Sequence, residues 1–91
     1  MRVARRYVVS GRVQGVGFRF FVGEVARGAG VSGAVRNLPD GRVEVLAEGE
    51  DDAMRVLEAA LWRGPSLARV EAVASEVTMA ATGGKGFVID A

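Results

Sequence analysis

The 91-residue chain contains no cysteine and no histidine. Without cysteine it can form neither a disulfide nor a thiolate ligand, and without histidine it lacks the imidazole that often binds metals or acts as a general base. Nucleophilic catalysis by cysteine or histidine is therefore excluded. We expect a protein that works without a metal ion or any other cofactor.

The chain also lacks a long apolar run and has almost no net charge. The sequence contains no run of about eighteen apolar residues, the length needed to span a bilayer. Met1 to Tyr7 has neither the apolar segment nor the cleavage pattern of a signal peptide. A formal net charge of +1 is too small for binding to nucleic acid or an anionic membrane by bulk electrostatics. We expect a soluble, cytoplasmic monomer with small-molecule partners and no nucleic-acid or membrane partner.

The spacing of the apolar residues predicts seven secondary-structure elements. Alternating apolar and polar positions indicate strands, and apolar positions three and four apart indicate helices. An Asp-Gly turn at Asp40 joins two of the strands into a hairpin. The predicted strands are Arg6–Val13, Ser32–Leu38, Arg42–Glu48, Arg69–Thr78 and Phe87–Ile89, and the predicted helices run from Phe18 to Gly28 or Gly30 and from Glu50 to Gly64.

The order of these elements is β-α-β-β-α-β with a short additional C-terminal strand. Each helix carries one apolar stripe, so both helices can pack on one face of a shared antiparallel sheet. This arrangement is an α+β fold, a ferredoxin-like α/β sandwich, and we expect one domain over residues 1–91. The stripe of the second helix is Ala53, Val56, Leu57, Ala60 and Leu61. Phe21 and Trp62 lie in or beside the stripes and are expected in the core.

A glycine-containing loop, Gly11-Arg12-Val13-Gln14-Gly15-Val16-Gly17-Phe18-Arg19, joins the first strand to the first helix. Glycine permits backbone angles that turn several N–H groups toward one point, and the free amides and positive dipole of a helix start attract an anion. The planar guanidinium of Arg19 can hold two phosphoryl oxygens. On the residues alone, two interpretations stay open: an anion-binding loop, or a tight turn followed by a solvated arginine.

Asn37, the single asparagine, lies near the predicted end of the second strand. In the predicted fold the first and second strands run in the same direction with one strand between them, so Asn37 lies roughly 10 Å across from the glycine loop. Its amide can orient an attacking water without being a base, or it can serve the turn at Pro39, and both interpretations stay open. For Gln14 we favour a role in loop structure over catalysis.

Two segments of the chain resemble the acylphosphatase family, and the resemblance extends over nearly the whole length to about Val77. One segment is the glycine loop, and the other is Gly33-Ala34-Val35-Arg36-Asn37-Leu38-Pro39-Asp40-Gly41-Arg42-Val43-Glu44. Ala34 departs from the pattern because family members often carry tryptophan there, and the segment from Met79 to Gly86 is poorer in aromatic residues than expected. Both departures concern packing more than chemistry.

The resemblance implies a hydrolase that cleaves the carboxyl-phosphate anhydride of an acylphosphate into a carboxylate and inorganic phosphate. It implies catalytic roles for Arg19, as the charged phosphate ligand, and for Asn37, which holds the nucleophilic water. We hypothesise direct in-line attack of that water, without a metal or cofactor. The phosphate-binding loop implied by the resemblance comprises Gln14, Gly15, Val16, Gly17, Phe18 and Arg19.

Two alternatives to an enzyme follow from the fold and the resemblance. The chain could be a non-catalytic, acylphosphatase-like phosphate-binding module, as related domains inside larger enzymes are. Ferredoxin-like domains also bind RNA, but such domains need aromatic residues on their central strands, and here only Tyr7 lies on a candidate strand near the sheet centre. Turnover of an acylphosphate would distinguish an enzyme from either module.

Overall fold

The computed structural model of the chain describes residues 1–79 and 86–90. Within them, strands and helices follow one another in the predicted order, and neither helix has the length and apolar character needed to cross a bilayer. The strands are β1 (Arg2–Arg12), β2 (Ser32–Asn37), β3 (Val43–Glu50), β4 (Arg69–Val77) and β5 (Phe87–Ile89), and the helices are α1 (Phe18–Ala29) and α2 (Asp51–Arg63). Residues 80–85, which make up most of the segment from Met79 to Gly86 that is poor in aromatic residues, lie outside the described residues.

The strands form one sheet in the order β4-β1-β3-β2-β5. β1 pairs antiparallel with β3 and with β4, and β2 pairs antiparallel with β3, as the predicted ferredoxin-like fold requires. β5 instead pairs in parallel with β2, with Gly33 opposite Phe87 and Val35 opposite Ile89. The sheet is therefore mixed, and not antiparallel throughout as was predicted. The apolar pattern predicted this three-residue strand but carries no information about its direction.

Both helices pack against the same face of the sheet and enclose the core. Alternate residues of each strand point toward the helices, so Tyr7 and Val9 of β1 are fully buried. The helices contribute inward-facing residues at helical spacing. These buried residues are Phe18, Val22 and Ala26 of α1 and Met54, Leu57, Ala60 and Leu61 of α2.

Two predictions about burial were wrong, and β1 and β3 extend beyond their predicted bounds. Val56 is 56% exposed and Trp62 is 51% exposed. The inward face of α2 is centred on Leu57 and Leu61, and Val56 and Trp62 lie beside that face. β1 begins at Arg2 instead of Arg6. Its extra residues pair with the end of β3, opposite Glu50 to Ala47.

The sheet order brings the predicted site segments to one edge. Val43 of β3 is opposite Val9 of β1 on one side and opposite Asn37 of β2 on the other. β1 and β2 therefore run in the same direction, and their carboxyl ends lie roughly 10 Å apart with one strand between them. The loop from β1 to α1 and the end of β2 are consequently neighbours.

Candidate active site

The loop between β1 and α1 is anchored by apolar side chains and exposes its glycines. Val13, Val16 and Phe18 are buried, whereas Gly15 and Gly17 face solvent. Gly15 has φ 72° and Gly17 has φ 78°, in the left-handed region that other residues rarely adopt. A Cβ built at either position would meet no atom within 4 Å. The backbone conformation, and not lack of space, therefore requires glycine at both positions.

The amides of this loop are free to bind an anion. Gly17 precedes α1 in the cap position without a side-chain cap, and the first backbone bond of the helix runs from the Phe21 N–H to the Gly17 carbonyl at 3.1 Å. Within residues 1–79 and 86–90, the N–H groups of Gln14 to Arg19 donate to no acceptor. Unpaired N–H groups around a left-handed turn at a helix start form an electropositive concavity.

Arg19 lies in the first turn of α1, and its guanidinium reaches the β2–β5 side of the sheet. Nη1 donates to the carbonyl oxygen of Asp90, and the Asp90 N–H donates to the Val35 carbonyl at 2.9 Å. Val35 is two residues before Asn37 in β2. In the described part of the chain Arg19 has no carboxylate partner, so no acidic side chain there neutralises its charge.

One stripe of α1 positions this arginine against β5. Arg19, Gly23 and Arg27 are four residues apart and share a helix face. A Cβ at Gly23 would lie 2.7 Å from Cδ1 of Ile89, and Nη2 of Arg27 donates to the Phe87 carbonyl at 3.1 Å. The missing side chain of Gly23 thus allows α1 to lie directly on β5, which fixes the direction in which Arg19 extends.

Asn37 is the last residue of β2 and is half-buried. Strand alternation places it on the same face as the buried Val35, the face covered by the helices. Its side-chain amide has no hydrogen-bond partner among the residues described. The turn that follows is closed without it, by bonds from Leu38 N–H to the Arg42 carbonyl at 2.8 Å and from Gly41 N–H to the Leu38 carbonyl at 3.1 Å. These contacts favour the water-orienting interpretation over the turn-forming one.

Gln14 connects the loop to this turn. Its side-chain nitrogen Nε2 donates to the Leu38 carbonyl at 2.8 Å and to the Arg42 carbonyl at 3.0 Å. The Gln14 side chain therefore binds main-chain groups of the turn, while its backbone N–H donates to no acceptor among the residues described. No sequence pattern indicates these acceptors, because they are main-chain groups 24 and 28 residues away.

The neighbouring charged residues are engaged elsewhere. Arg36 points to the opposite face of the sheet, where its Nε binds Glu44 at 2.7 Å, and Arg6 Nε binds the same carboxylate at 2.6 Å. Burial alone would raise the pKa of Glu44, but the hydrogen bonds from the two arginines outweigh it and lower the pKa. Arg36, although next to Asn37, is thus not available to an anion at the loop.

The carboxylates of Asp40, Asp51 and Asp52 have structural partners, and Asp51 and Asp52 lie at the opposite edge of the sheet from the predicted site. Asp40 accepts from the Arg42 N–H at 3.1 Å and from Arg42 Nε at 2.8 Å, and these bonds, the backbone bond first, hold the pKa of Asp40 below its usual value. Asp51 pairs with Arg55 at 3.3 Å, and Asp52 accepts from the Ala53 N–H. Asp51 and Asp52 lie in the first turn of α2, where the helix dipole stabilises them.

The structure thus places all the predicted site residues around one edge of the sheet. A cavity of about 860 Å³ lies elsewhere, between α1 and α2, and none of the predicted residues lines it. The predicted site is instead formed by main-chain groups of the loop together with the side chains of Arg19 and Asn37. Asp90, whose carbonyl contacts Arg19, was not predicted, because a main-chain contact over 71 residues leaves no pattern in the sequence.

Known proteins with similar sequences and structures identify the family. The Acylphosphatase family model matches residues 5–89. An acylphosphatase of Nitrosococcus oceani is 56% identical over 72 residues, which are 79% of this chain and 81% of the relative. The crystal structure of acylphosphatase from Bacillus subtilis has a TM-score of 0.92 at 37% identity and covers 100% of both chains. Full-length HypF in its phosphate- and nucleotide-bound form has a TM-score of 0.89 at 28% identity, covering 100% of this chain and 12% of HypF.

The match to the family model includes the loop, Arg19 and Asn37, and the fold agrees over the whole length of a solved relative. The resemblance inferred from two short segments is therefore confirmed at the level of the complete chain. The chain belongs to the acylphosphatase family and is a hydrolase acting on acid anhydrides.

Proposed function

We propose that this chain hydrolyses a small-molecule acylphosphate to a carboxylate and inorganic phosphate, with Arg19 and Asn37 as its catalytic residues. One observation carries the assignment of the site. The unpaired loop amides and the Arg19 guanidinium lie at the same sheet edge as Asn37, whose amide has no described partner. Such a cradle suits one phosphoryl group beside one water molecule.

The phosphoryl group would bind to the loop formed by Gln14, Gly15, Val16, Gly17, Phe18 and Arg19. The backbone N–H groups contact its oxygens, and the guanidinium of Arg19 adds charge and a forked pair of donors. To reach the phosphoryl group, Arg19 extends from α1 along the side where the Asp90 carbonyl now accepts its hydrogen bond. These fixed donors stabilise negative charge on the equatorial oxygens as the transition state forms.

The reaction is a direct displacement at phosphorus. Asn37 accepts a hydrogen bond from water and holds its oxygen in line with the bond to be broken. A bond forms between the water oxygen and phosphorus as the bond from phosphorus to the acyl oxygen breaks. The electron pair of the broken bond leaves with the carboxylate, and both protons of the water end on the phosphate product.

The leaving group explains why this site needs no general acid. A carboxylic acid has a pKa near 4, so the carboxylate departs as a stable anion at neutral pH. A phosphate monoester must instead expel an alkoxide, which needs protonation or a metal ion. We therefore propose that the enzyme is selective for acylphosphates over phosphate monoesters.

The test compares the hydrolysis of a generic acylphosphate, such as benzoyl phosphate, by wild type, Arg19→Ala and Arg55→Ala. Arg55 is a matched control because it is an exposed arginine on α2 whose described partner is Asp51. Wild type and Arg55→Ala should turn over the substrate, and Arg19→Ala should lose at least about 100-fold in kcat/KM. Equal rates for wild type on a phosphate monoester, or loss of activity with a chelator, would refute the mechanism.

The alternative candidate is a non-catalytic module that binds phosphate through the same loop. HypF, a much longer protein, contains a similar segment that covers 12% of its chain, so domains of this type also occur inside larger proteins. Wild-type protein that binds phosphate but shows no turnover would favour this candidate.

We further propose that residues 1–91 act as one domain, as a cytoplasmic monomer without nucleic-acid or membrane partners. Sedimentation of the purified protein, with and without RNA or vesicles, tests the monomeric state and the absence of these two kinds of partner.

A further inference from the structure

We propose that Gln14 is a positioning residue, which holds the phosphate-binding loop and the catalytic Asn37 in a fixed relation. The proposal rests on the function proposed above. The loop and Asn37 lie on strands that are not neighbours, with β3 between them. In-line attack requires the position of the water relative to phosphorus to be fixed to within a fraction of an ångström. The two groups are nevertheless held by separate segments of the chain.

The contacts of Gln14 bridge these segments. Its Nε2 donates to the carbonyls of Leu38, the residue directly after Asn37, and of Arg42, at 2.8 and 3.0 Å. Both carbonyls also take part in the turn, since Leu38 O accepts from Gly41 N–H and Arg42 O accepts from Leu38 N–H. The side chain therefore binds the base of the turn, where β2 ends and β3 begins, and not its tip.

The residue type fits this role closely. A primary amide nitrogen carries two N–H donors, and two main-chain carbonyls face it. A carboxylate would present oxygen to oxygen, and a shorter amide would not span the same distance. Among the residues described, the Gln14 side chain provides all the hydrogen bonds between loop residues 13–17 and residues 37–42. Loss of this amide leaves only apolar packing to hold the two segments in register.

Gln14 acts through Asn37 and not on the substrate. Both N–H groups of its side chain are used by the carbonyls, and the anion is left to the backbone N–H. Removal of the side-chain amide should therefore misplace the water relative to phosphorus, which lowers kcat. It should leave the affinity for inorganic phosphate, which the loop amides and Arg19 supply, nearly unchanged.

A double-mutant cycle with Asn37→Ala tests the proposal. The variants are Gln14→Met, which keeps the length and neutrality of the side chain without donors, and Gln14→Asn, which keeps the amide one methylene short. With benzoyl phosphate we expect Gln14→Met to lower kcat about 10- to 100-fold and to change the inhibition constant of inorganic phosphate by less than about 3-fold. In the Asn37→Ala background the same change should lower kcat by less than about 2-fold.

The outcomes separate positioning from other roles. Unchanged kcat in Gln14→Met, a full additive loss in the Asn37→Ala background, or an equal loss of phosphate affinity would each overturn the proposal. All assays are run well below the melting temperature of each variant, so that unfolding does not enter kcat.

A second readout does not require turnover. The side-chain amide resonances of Asn37 in a ¹H–¹⁵N spectrum should shift in Gln14→Met while those of the Arg55 backbone remain in place. If wild type fails to hydrolyse the acylphosphate, the proposed function fails, and the resonance shift still decides whether Gln14 positions Asn37. Unshifted Asn37 resonances would overturn the positioning role even in an active enzyme.

Discussion

Arg19 is a cation at the end of a helix where the backbone dipole disfavours positive charge by some tenths of a kcal/mol. Its described hydrogen bond goes to a neutral carbonyl, that of Asp90, and no described carboxylate compensates its charge. The surrounding amides of the loop are donors as well. A bound anion would satisfy all of these donors together and would offset the unfavourable interaction of Arg19 with the helix dipole.

Replacement of Arg19 by lysine should separate charge from geometry. Lys keeps the positive charge but offers a point donor in place of the planar fork, so we expect kcat/KM to fall about 100-fold or more. The free energy of unfolding in urea should change by less than about 0.5 kcal/mol, because no described ion pair is lost. Arg55→Lys serves as the control, and an equal loss of stability and activity at Arg19 would contradict the catalytic role.

Tyr7 carries a cost in stability that sequence reading did not reveal. Its ring is fully buried, and its hydroxyl lies near the Glu58 carboxylate without forming a hydrogen bond of ordinary geometry to any residue described. The pKa of Tyr7 is raised from 10.0 to about 12, mainly by burial and also by the charge of Glu58, while the charge of Arg5 opposes the shift. The ring is needed for packing, whereas the hydroxyl is an unpaired polar group.

We therefore expect Tyr7→Phe to stabilise the fold by about 1 kcal/mol in urea denaturation. A raised folded-state pKa means that the contribution of Tyr7 is fully present below pH 10 and is lost as pH rises toward 12. The Phe variant should lack that alkaline dependence. Tyr7→Leu, which removes the ring, should destabilise, and a loss of stability in Tyr7→Phe would show that the hydroxyl has a partner in solution.

At the scale of the element, the face of the sheet without helices is stabilised by charge. Glu44 is 6% exposed on β3 and binds Arg6 of β1 and Arg36 of β2, so one carboxylate joins three neighbouring strands. Arg6 also binds Glu76 of β4 at 3.0 Å. The network crosses four of the five described strands, those that support the loop and Asn37.

Glu44→Gln should lower the free energy of unfolding at pH 7 by about 1 to 3 kcal/mol, because two arginines lose their shared carboxylate. The folded-state pKa of Glu44 is lowered, so its contribution is present above the ordinary pKa of 4.5 and is lost as pH falls through the lower folded value. The difference between wild type and variant should therefore shrink below pH 4.5 in denaturation curves. A constant difference down to pH 2 would contradict the ionic origin, and Glu50→Gln on the exposed rim is the control.

At the scale of the whole molecule, phosphate binding should be visible as stability. A ligand that binds only the folded state adds about 1.4 kcal/mol at ten times its dissociation constant, which for a domain of this size raises Tm by roughly 5 to 10 °C. We expect this shift with inorganic phosphate for wild type and for Asn37→Ala. Arg19→Ala should show little shift, and a full shift in that variant would remove Arg19 from the binding site.

Much of the fold followed from the periodicity of the sequence, and less of the site did. The two helices and the Asp40-Gly41 hairpin were predicted because apolar spacing and turn residues are local signals. The parallel pairing of β5 and the exposure of Trp62 were not, since each depends on packing between distant segments. Arg19 and Asn37 were recognised by residue type, and their roles stay predictions. The contacts that hold them run to main-chain carbonyls, which look alike at every position of a sequence.

The pairing of β1 with β4 has a consequence for how the enzyme acquires activity during folding. Arg12, the last residue of β1, lies opposite Arg69, so the end of the strand that leads into the glycine loop is paired with a partner 57 residues away along the chain. Contacts of such separation form late, after local helices and turns. A nascent or refolding chain can therefore be helical and compact and still be inert, because the loop gains its support only when the outermost strand has docked.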